Sequence, residues 1–154
     1  MKAGPEFERF YEREAQSVFG AVFLLCRDAT LAEDATQEAF ARVFARWDRL
    51  GTQPWAGGWV MTTALNVARR GLRRRHLRVE AGPNPEHSTD VDLWAVVRRL
   101  PRRQQHTVVL RYRMDLPVRE IAEILGCREG TVRTHLARAR DSLRSSLGGE
   151  RDRD

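Results

Sequence analysis

An all-α chain is what this sequence predicts: two small helical domains joined by a flexible acidic linker, the C-terminal one a helix-turn-helix. Three observations lead there. Apolar residues recur every three to four positions along most of the chain, with no run of alternating strand pattern and no long internal repeat. One stretch, Val79–Asp92, breaks that period with two prolines, a glycine and four acids. Near the C-terminus a short helical pattern, a glycine and a longer helical pattern follow in the order of a helix-turn-helix.

Length and composition fit this reading. The chain has 154 residues, 42% hydrophobic, which allows one domain or two small ones and argues against wholesale disorder. No apolar run reaches the roughly 18 residues of a transmembrane helix. The start, Met1-Lys2-Ala3-Gly4-Pro5-Glu6, leads straight into an acidic amphipathic stretch without a signal-peptide core. A cytoplasmic location without membrane insertion is therefore expected.

The elements follow in order. The first helix is expected from about Glu6 to Cys26, with Phe7, Phe10, Tyr11, Ala15, Val18, Phe19, Val22 and Phe23 on one stripe. Thr30-Leu31-Ala32-Glu33 reads as a capping box, which starts a second helix near Leu31. That helix is expected to reach Leu50, with Leu31, Ala35, Ala39, Phe40, Val43, Phe44 and Trp47 inward. Gly51-Thr52-Gln53 breaks it. Pro54 suits the first turn of a third helix running to about Arg78. After the linker, Asp90 can cap a helix carrying Leu93, Trp94, Val97 and Leu100. Pro101 punctuates, and a further helix carries Val108, Val109, Leu110 and Tyr112. The last two helices are expected over Val118–Leu125 and Glu129–Leu147. The tail from Gly148 is expected to be disordered. The domains are thus 1–78 and 93–147, joined by 79–92.

Charge separates along the same boundaries. The net charge is +6. Residues 1–40 carry four cations against eight acids, and residues 41–80 carry nine arginines against two acids. Residues 81–100 are weakly acidic, and residues 101–154 hold twelve arginines against eight acids. Two basic blocks divided by an acidic segment suggest two polyanion-binding units, with an acidic N-terminal surface for something else. Ordinary solvated helix faces are the alternative account of the charge. Lys2 is the only lysine. Arginine's planar fork suits phosphates and guanine edges. Cys26 and Cys127 stand far apart and the four histidines are scattered, so no disulfide framework, metal site or cofactor is expected.

Within the helix-turn-helix, Ile121, Ala122 and Leu125 point into a small core, and Gly126 permits the left-handed turn. Val132, Leu136, Ala139 and Leu143 share the buried face of the last helix. Thr131, Arg133, Thr134, His135 and Arg138 are left outside, at the end where a recognition helix meets base edges. Arg133 and Arg138 can each reach a guanine in bidentate fashion. Thr134 can meet a base or a thymine methyl. His135 is read as a phosphate contact at most, and Thr131 as a cap or a contact. Arg119 and Arg128 lie nearer the helix ends and suit the DNA backbone.

The N-terminal half offers two further faces. Asp34, Gln37 and Glu38 fall within an arc of about 100° opposite Phe40, Val43 and Trp47. That acidic, amide-bearing patch suits a basic protein partner or is simply solvated. On the third helix Trp59, Thr62, Asn66, Arg69, Arg70 and Arg73 line one side. Asn66 can pair with an exposed base edge and the arginines can follow phosphates. Trp55 and Trp59 can stack unpaired bases. An aromatic at helical spacing is more often core, so Trp59 carries both readings and Trp55 stays open.

These residues resemble a known family. Asp34-x-x-Gln37-Glu38-x-Phe40, Pro54-x-x-x-x-Trp59 and Asn66-Val67-Ala68 look like the first conserved domain of an extracytoplasmic-function (ECF) sigma factor. Leu100-Pro101-x-Arg103-Gln104, Val109-Leu110-Arg111-Tyr112, Glu120-Ile121-Ala122, Leu125-Gly126, Gly130-Thr131-Val132 and Arg138-Ala139 look like its second. The resemblance spans about residues 6–147. It implies a non-catalytic initiation subunit of bacterial RNA polymerase. Asp34, Gln37 and Glu38 would dock on core polymerase. The loop from about Arg49 to Gly58 and the helix bearing Asn66 would bind and open the −10 element, trapping a flipped base. The helix-turn-helix would read the −35 element, and the linker would thread toward the polymerase active centre. An anti-sigma factor would be a partner. Trp55, Gly57 and Gly58 depart from the family pattern, as does the lack of any acid between Asn66 and Arg78. An autonomous helix-turn-helix regulator is the alternative, though the N-terminal half lacks the strand–helix alternation of a receiver domain. A sigma-like adaptor or antagonist is a third. No Ser/His/Asp set, carboxylate pair or phosphate loop supports an enzyme.

Overall fold

The structure, a computed structural model, describes residues 4–76 and 89–151. The described residues are helical throughout apart from short turns, with no strand among them. They divide into two compact units, split between Gly82 and Pro83. The expected helix end at Arg78 and the linker positions 79–88 lie outside the described residues.

The N-terminal unit contains α1 (Pro5–Cys26), α2 (Ala29–Ala45), the single-turn α3 (Trp47–Leu50) and α4 (Ala56–His76). Its centre is a seam of small residues. Ala32, Ala35 and Ala39 of α2 are fully buried, so α1 and α4 both approach its backbone closely. Val18, Ala21 and Val22 close the seam from α1, and Val60, Met61, Ala64 and Leu65 from α4. At the far end Gly71 permits the contact, since a Cβ there would stand 2.5 Å from Leu31 Cδ1. An aromatic cluster seals the other end. Trp47 packs on Phe7 and Phe10 with centroids 5.2 and 5.0 Å apart. Phe40 meets Phe10 edge-on.

Three local expectations need correction here. The second helix begins at Ala29, and its cap is Asp28 rather than Thr30. Arg27 leaves α1 in the left-handed region, so Asp28 is extended and its Oδ1 accepts from Leu31 N at 3.0 Å. Its Oδ2 pairs with Arg75 of α4. One carboxylate thus serves both α2 and α4. Next, the helix does not run unbroken to Leu50. Arg46 leaves the helical range at φ −119°, which swings Trp47 into the aromatics, and Gly51 lets the indole lie against the backbone. Phe44 consequently sits at the rim, 53% exposed, leaning on Phe7. Finally, Pro54 precedes α4 instead of joining its first turn, which starts at Ala56. The buried Gly57 lies where a Cβ would meet the Glu14 carboxylate at 3.0 Å. An acid beside a helix N-terminus is favourable, which accounts for a glycine that weakens helical propensity.

The C-terminal unit contains α5 (Thr89–Arg99), α6 (Arg102–Val108), a π-helical turn over Val109–Arg113, α7 (Val118–Leu125) and α8 (Glu129–Arg151). Helix α5 already starts at Thr89, inside the segment expected to be linker. Helix α8 passes through Gly148, where a disordered tail is expected. Extending an existing helix by one residue is far easier than nucleating one, and no proline stops it. Helix α6 is the hub. Six consecutive residues, Gln105 to Leu110, are buried across its C-terminal part and into the π-helical turn, so that stretch is enclosed on all sides while Arg102 and Arg103 stay exposed. Two of its polar members bond to backbone: Gln105 Nε2 donates to Val97 O, and Thr107 Oγ1 donates to Gln104 O. Tyr112 lies 55% exposed rather than in the core, accepting a hydrogen bond from Arg140 Nε at 2.6 Å.

The tight turn forms as the sequence predicts. Gly126 stands at φ 66°, and Cys127 N donates to Ala122 O. Nothing lies within 4 Å of a Cβ placed on Gly126. Gly126→Ala is therefore expected to cost about 1–2 kcal/mol through backbone strain alone. Chemical denaturation of the variant checks this; a loss below a few tenths of a kcal/mol would contradict it.

Candidate nucleic-acid interface

On α2, Asp34, Gln37 and Glu38 are all exposed, opposite the buried Ala35, Ala39 and Val43. Glu38 is engaged by Arg42 one turn on, an exposed pair that leaves Asp34 and Gln37 as the more available groups.

Helix α4 presents a graded stripe. Trp59, Thr62, Asn66 and Arg69 are half-buried, while Arg70 and Arg73 are exposed. Thr62 Oγ1 donates to Gly58 O at 2.9 Å, so its proton is already committed. Asn66 Oδ1 is buried without a hydrogen-bond partner. A buried unsatisfied acceptor costs about 1–3 kcal/mol, which a correctly placed donor recovers. Trp55 is half-buried beside the start of α4. Trp59 is neither plain core nor a bare stacking face, because the Arg46 guanidinium lies over its ring, 5.6 Å from the centroid. Arg75, in the basic run Arg73-Arg74-Arg75, ties α4 to Asp28.

In the C-terminal unit, Val132, Leu136 and Ala139 of α8 are buried against the unit's core. Thr131, Arg133, Thr134 and Arg138 stand on the outer side and are exposed, with Arg128 and Arg119 exposed nearby. Helix α8 starts with Val132 N donating to Arg128 O, so Thr131 lies inside the first turn and is not the cap. Thr134 Oγ1 donates to Gly130 O at 3.0 Å, committing its proton to the helix. His135 is half-buried with Nδ1 shielded and unpartnered. Burial first, then the charges of Arg103 and Arg138, hold its pKa below the ordinary imidazole value. Its protonation is thus disfavoured relative to a free imidazole, and the neighbouring arginines are the stronger cations. Arg103, in the first turn of α6, was absent from the sequence-predicted face, yet its charge reaches His135. The only hint was its place in the Pro101-x-Arg103-Gln104 motif.

Two family models match, and in the expected order. "Sigma-70 region 2" covers residues 10–78, and "Sigma-70, region 4" covers residues 90–143. The chain belongs to the sigma-70 family. Within it, the relatives are RNA polymerase sigma factors, several of them ECF sigma factors. The ECF RNA polymerase sigma factor SigC of Mycobacterium tuberculosis is 29% identical over 91% of this chain and 82% of its own length. The RNA polymerase sigma-E factor of Streptomyces coelicolor is 28% identical over 92% and 86%. SigE of Mycolicibacterium smegmatis is 32% identical over 94% of this chain and 63% of its own. Among solved structures, the sigma factor RpoE of Bartonella quintana, crystallised with the anti-sigma factor NepR, shares the fold. Its TM-score is 0.69 at 21% identity, over 92% of this chain and 96% of that one. This sigma factor is therefore a subunit that directs RNA polymerase to promoters. Among its described residues no helix is long and apolar enough to cross a membrane.

Proposed function

We propose that this sigma factor divides its work among three surfaces. The α2 face of Asp34, Gln37 and Glu38 docks on core polymerase. The α4 stripe of Trp55, Trp59, Thr62, Asn66, Arg69, Arg70 and Arg73, with the loop before it, engages and opens the −10 element. The outer side of α8 reads the −35 element through Arg133 and Arg138, while Arg119, Arg128, Thr131, Thr134 and His135 complete that contact. The observation that carries the reading is the unsatisfied Asn66 Oδ1 within a cationic stripe. A turn of the half-buried Asn66 amide toward solvent would present this acceptor to the amino donor of a flipped base, and arginines alongside suit its phosphates. The protein has no chemistry of its own in this reading; polymerase makes the RNA, so the subunit acts in the cytoplasm. An anti-sigma partner, as in the Bartonella complex, belongs to the proposal.

Run-off transcription on fragmented genomic DNA, with core polymerase plus and minus this chain, tests the whole. Discrete new transcripts sharing an upstream motif are expected. No transcripts despite co-elution with polymerase would mark an adaptor instead. For the docking face, the double variant Asp34→Ala, Gln37→Ala is expected to lose roughly 1–3 kcal/mol of polymerase affinity while melting normally. Undiminished retention on immobilised core polymerase would remove those residues from the interface.

A further inference from the structure

Arg46 was not among the residues the sequence singled out, and its placement changes the meaning of Trp59. Arg46 sits at the break between α2 and α3, with its backbone outside the helical range and its side chain exposed. That break carries its guanidinium over the Trp59 ring, 5.6 Å from the centroid. A cation attracted to the face of a ring does not spend its N–H donors on that contact. The guanidinium N–H donors lie in the plane of the group and remain available as a fork for phosphate oxygens. The ring contact also restricts a long side chain beforehand, which lowers the entropy lost when an anion binds. The surroundings select the anion. The stripe that begins at Trp59 continues through Asn66 to the exposed Arg70 and Arg73, and no acid occurs between Asn66 and Arg78. Arg46 stands over the ring of Trp59, where a stacking base would compete with it.

We propose that Arg46 is a further DNA-contacting residue of this sigma factor, gripping a backbone phosphate of the strand that passes Asn66, with Trp59 as its positioning residue rather than a base platform. The proposal rests on the reading of the α4 stripe as the −10 surface.

The test uses holoenzyme reconstituted from core polymerase and the full chain, on a promoter fragment recovered by run-off transcription. Affinity is measured as a function of KCl concentration, and opening by permanganate reactivity. Arg46→Ala is expected to reduce the slope of log K against log salt by about 1, and to weaken promoters with altered −10 bases equally. Arg46→Lys keeps the charge and the slope but binds less tightly, since an ammonium lacks the planar fork. Trp59→Phe keeps an aromatic platform and stays near the parent slope. An unchanged slope and affinity in Arg46→Ala would overturn the proposal. So would a base-dependent loss at constant slope, which would make the pair a base reader. Asn66→Ala separates the two levels. If it impairs opening while Arg46→Ala is silent, only this proposal fails. If both are silent, the −10 reading of α4 fails with it.

Discussion

Arg133→Ala is expected to weaken promoter binding by the holoenzyme by about 5- to 150-fold, which corresponds to roughly 1–3 kcal/mol. The side chain is exposed near the N-terminal end of α8, on the flank of the face that buries Val132 and Leu136. Removing it therefore leaves the unit's core untouched, and the loss measures contact rather than folding. Its neighbours make Arg133 the stronger reader. Thr134 has spent its hydroxyl proton on Gly130 O, leaving a methyl and lone pairs to meet a base. Burial and two arginines hold the pKa of His135 below the ordinary imidazole value, so it is a weaker cation than Arg133. A bidentate guanine contact carries sequence information, so the loss should concentrate at one upstream position. Competition binding against single-base promoter variants checks this. A loss spread evenly over all sequences, with a salt slope lowered by about 1, would make Arg133 a phosphate contact.

Much of this was legible in the sequence because it is local. The period of apolar residues, the Gly126 turn and the seam of Val132, Leu136 and Ala139 each depend on neighbours within a few positions. Exposure of Asp34, Gln37 and Glu38 followed from the same period. What escaped depends on residues distant in sequence. Thr30-x-x-Glu33 fits the cap pattern, but Asp28 wins because Arg75 of another helix holds its second oxygen. The burial of the polar run Gln105-His106-Thr107 has no local signal; it follows from the packing that encloses Gln105 to Leu110 on all sides. Arg46 carried no motif at all. Its role emerges only when the helix breaks beneath it and α4 brings Trp59 alongside. Gly57, which departs from the family pattern, is explained by Glu14 of α1.

Ile121→Ala carries the largest expected effect on stability, about 2–5 kcal/mol. Ile121 is fully buried in α7, beside Ala122 and Leu125, where α7 packs on α8. Helices α7 and α8 cannot shift freely to fill the gap, because Gly126 fixes the turn between them and Cys127 N is tied to Ala122 O. A unit of roughly sixty residues has only about 3–9 kcal/mol to lose, so the substitution threatens the whole C-terminal fold. The N-terminal unit has its own core in Val18, Ala35, Val60 and Met61, none of which the change reaches. Thermal melting should therefore resolve a lowered transition for one unit and a parent-like transition for the other. Retention on core polymerase should survive, because Asp34 and Gln37 lie on the unaffected unit, while −35-dependent transcription should fall away. A single lowered transition, with polymerase retention lost as well, would mean that the two units fold as one cooperative body. The division of labour between them would then have to be sought in shared surfaces rather than in separate ones.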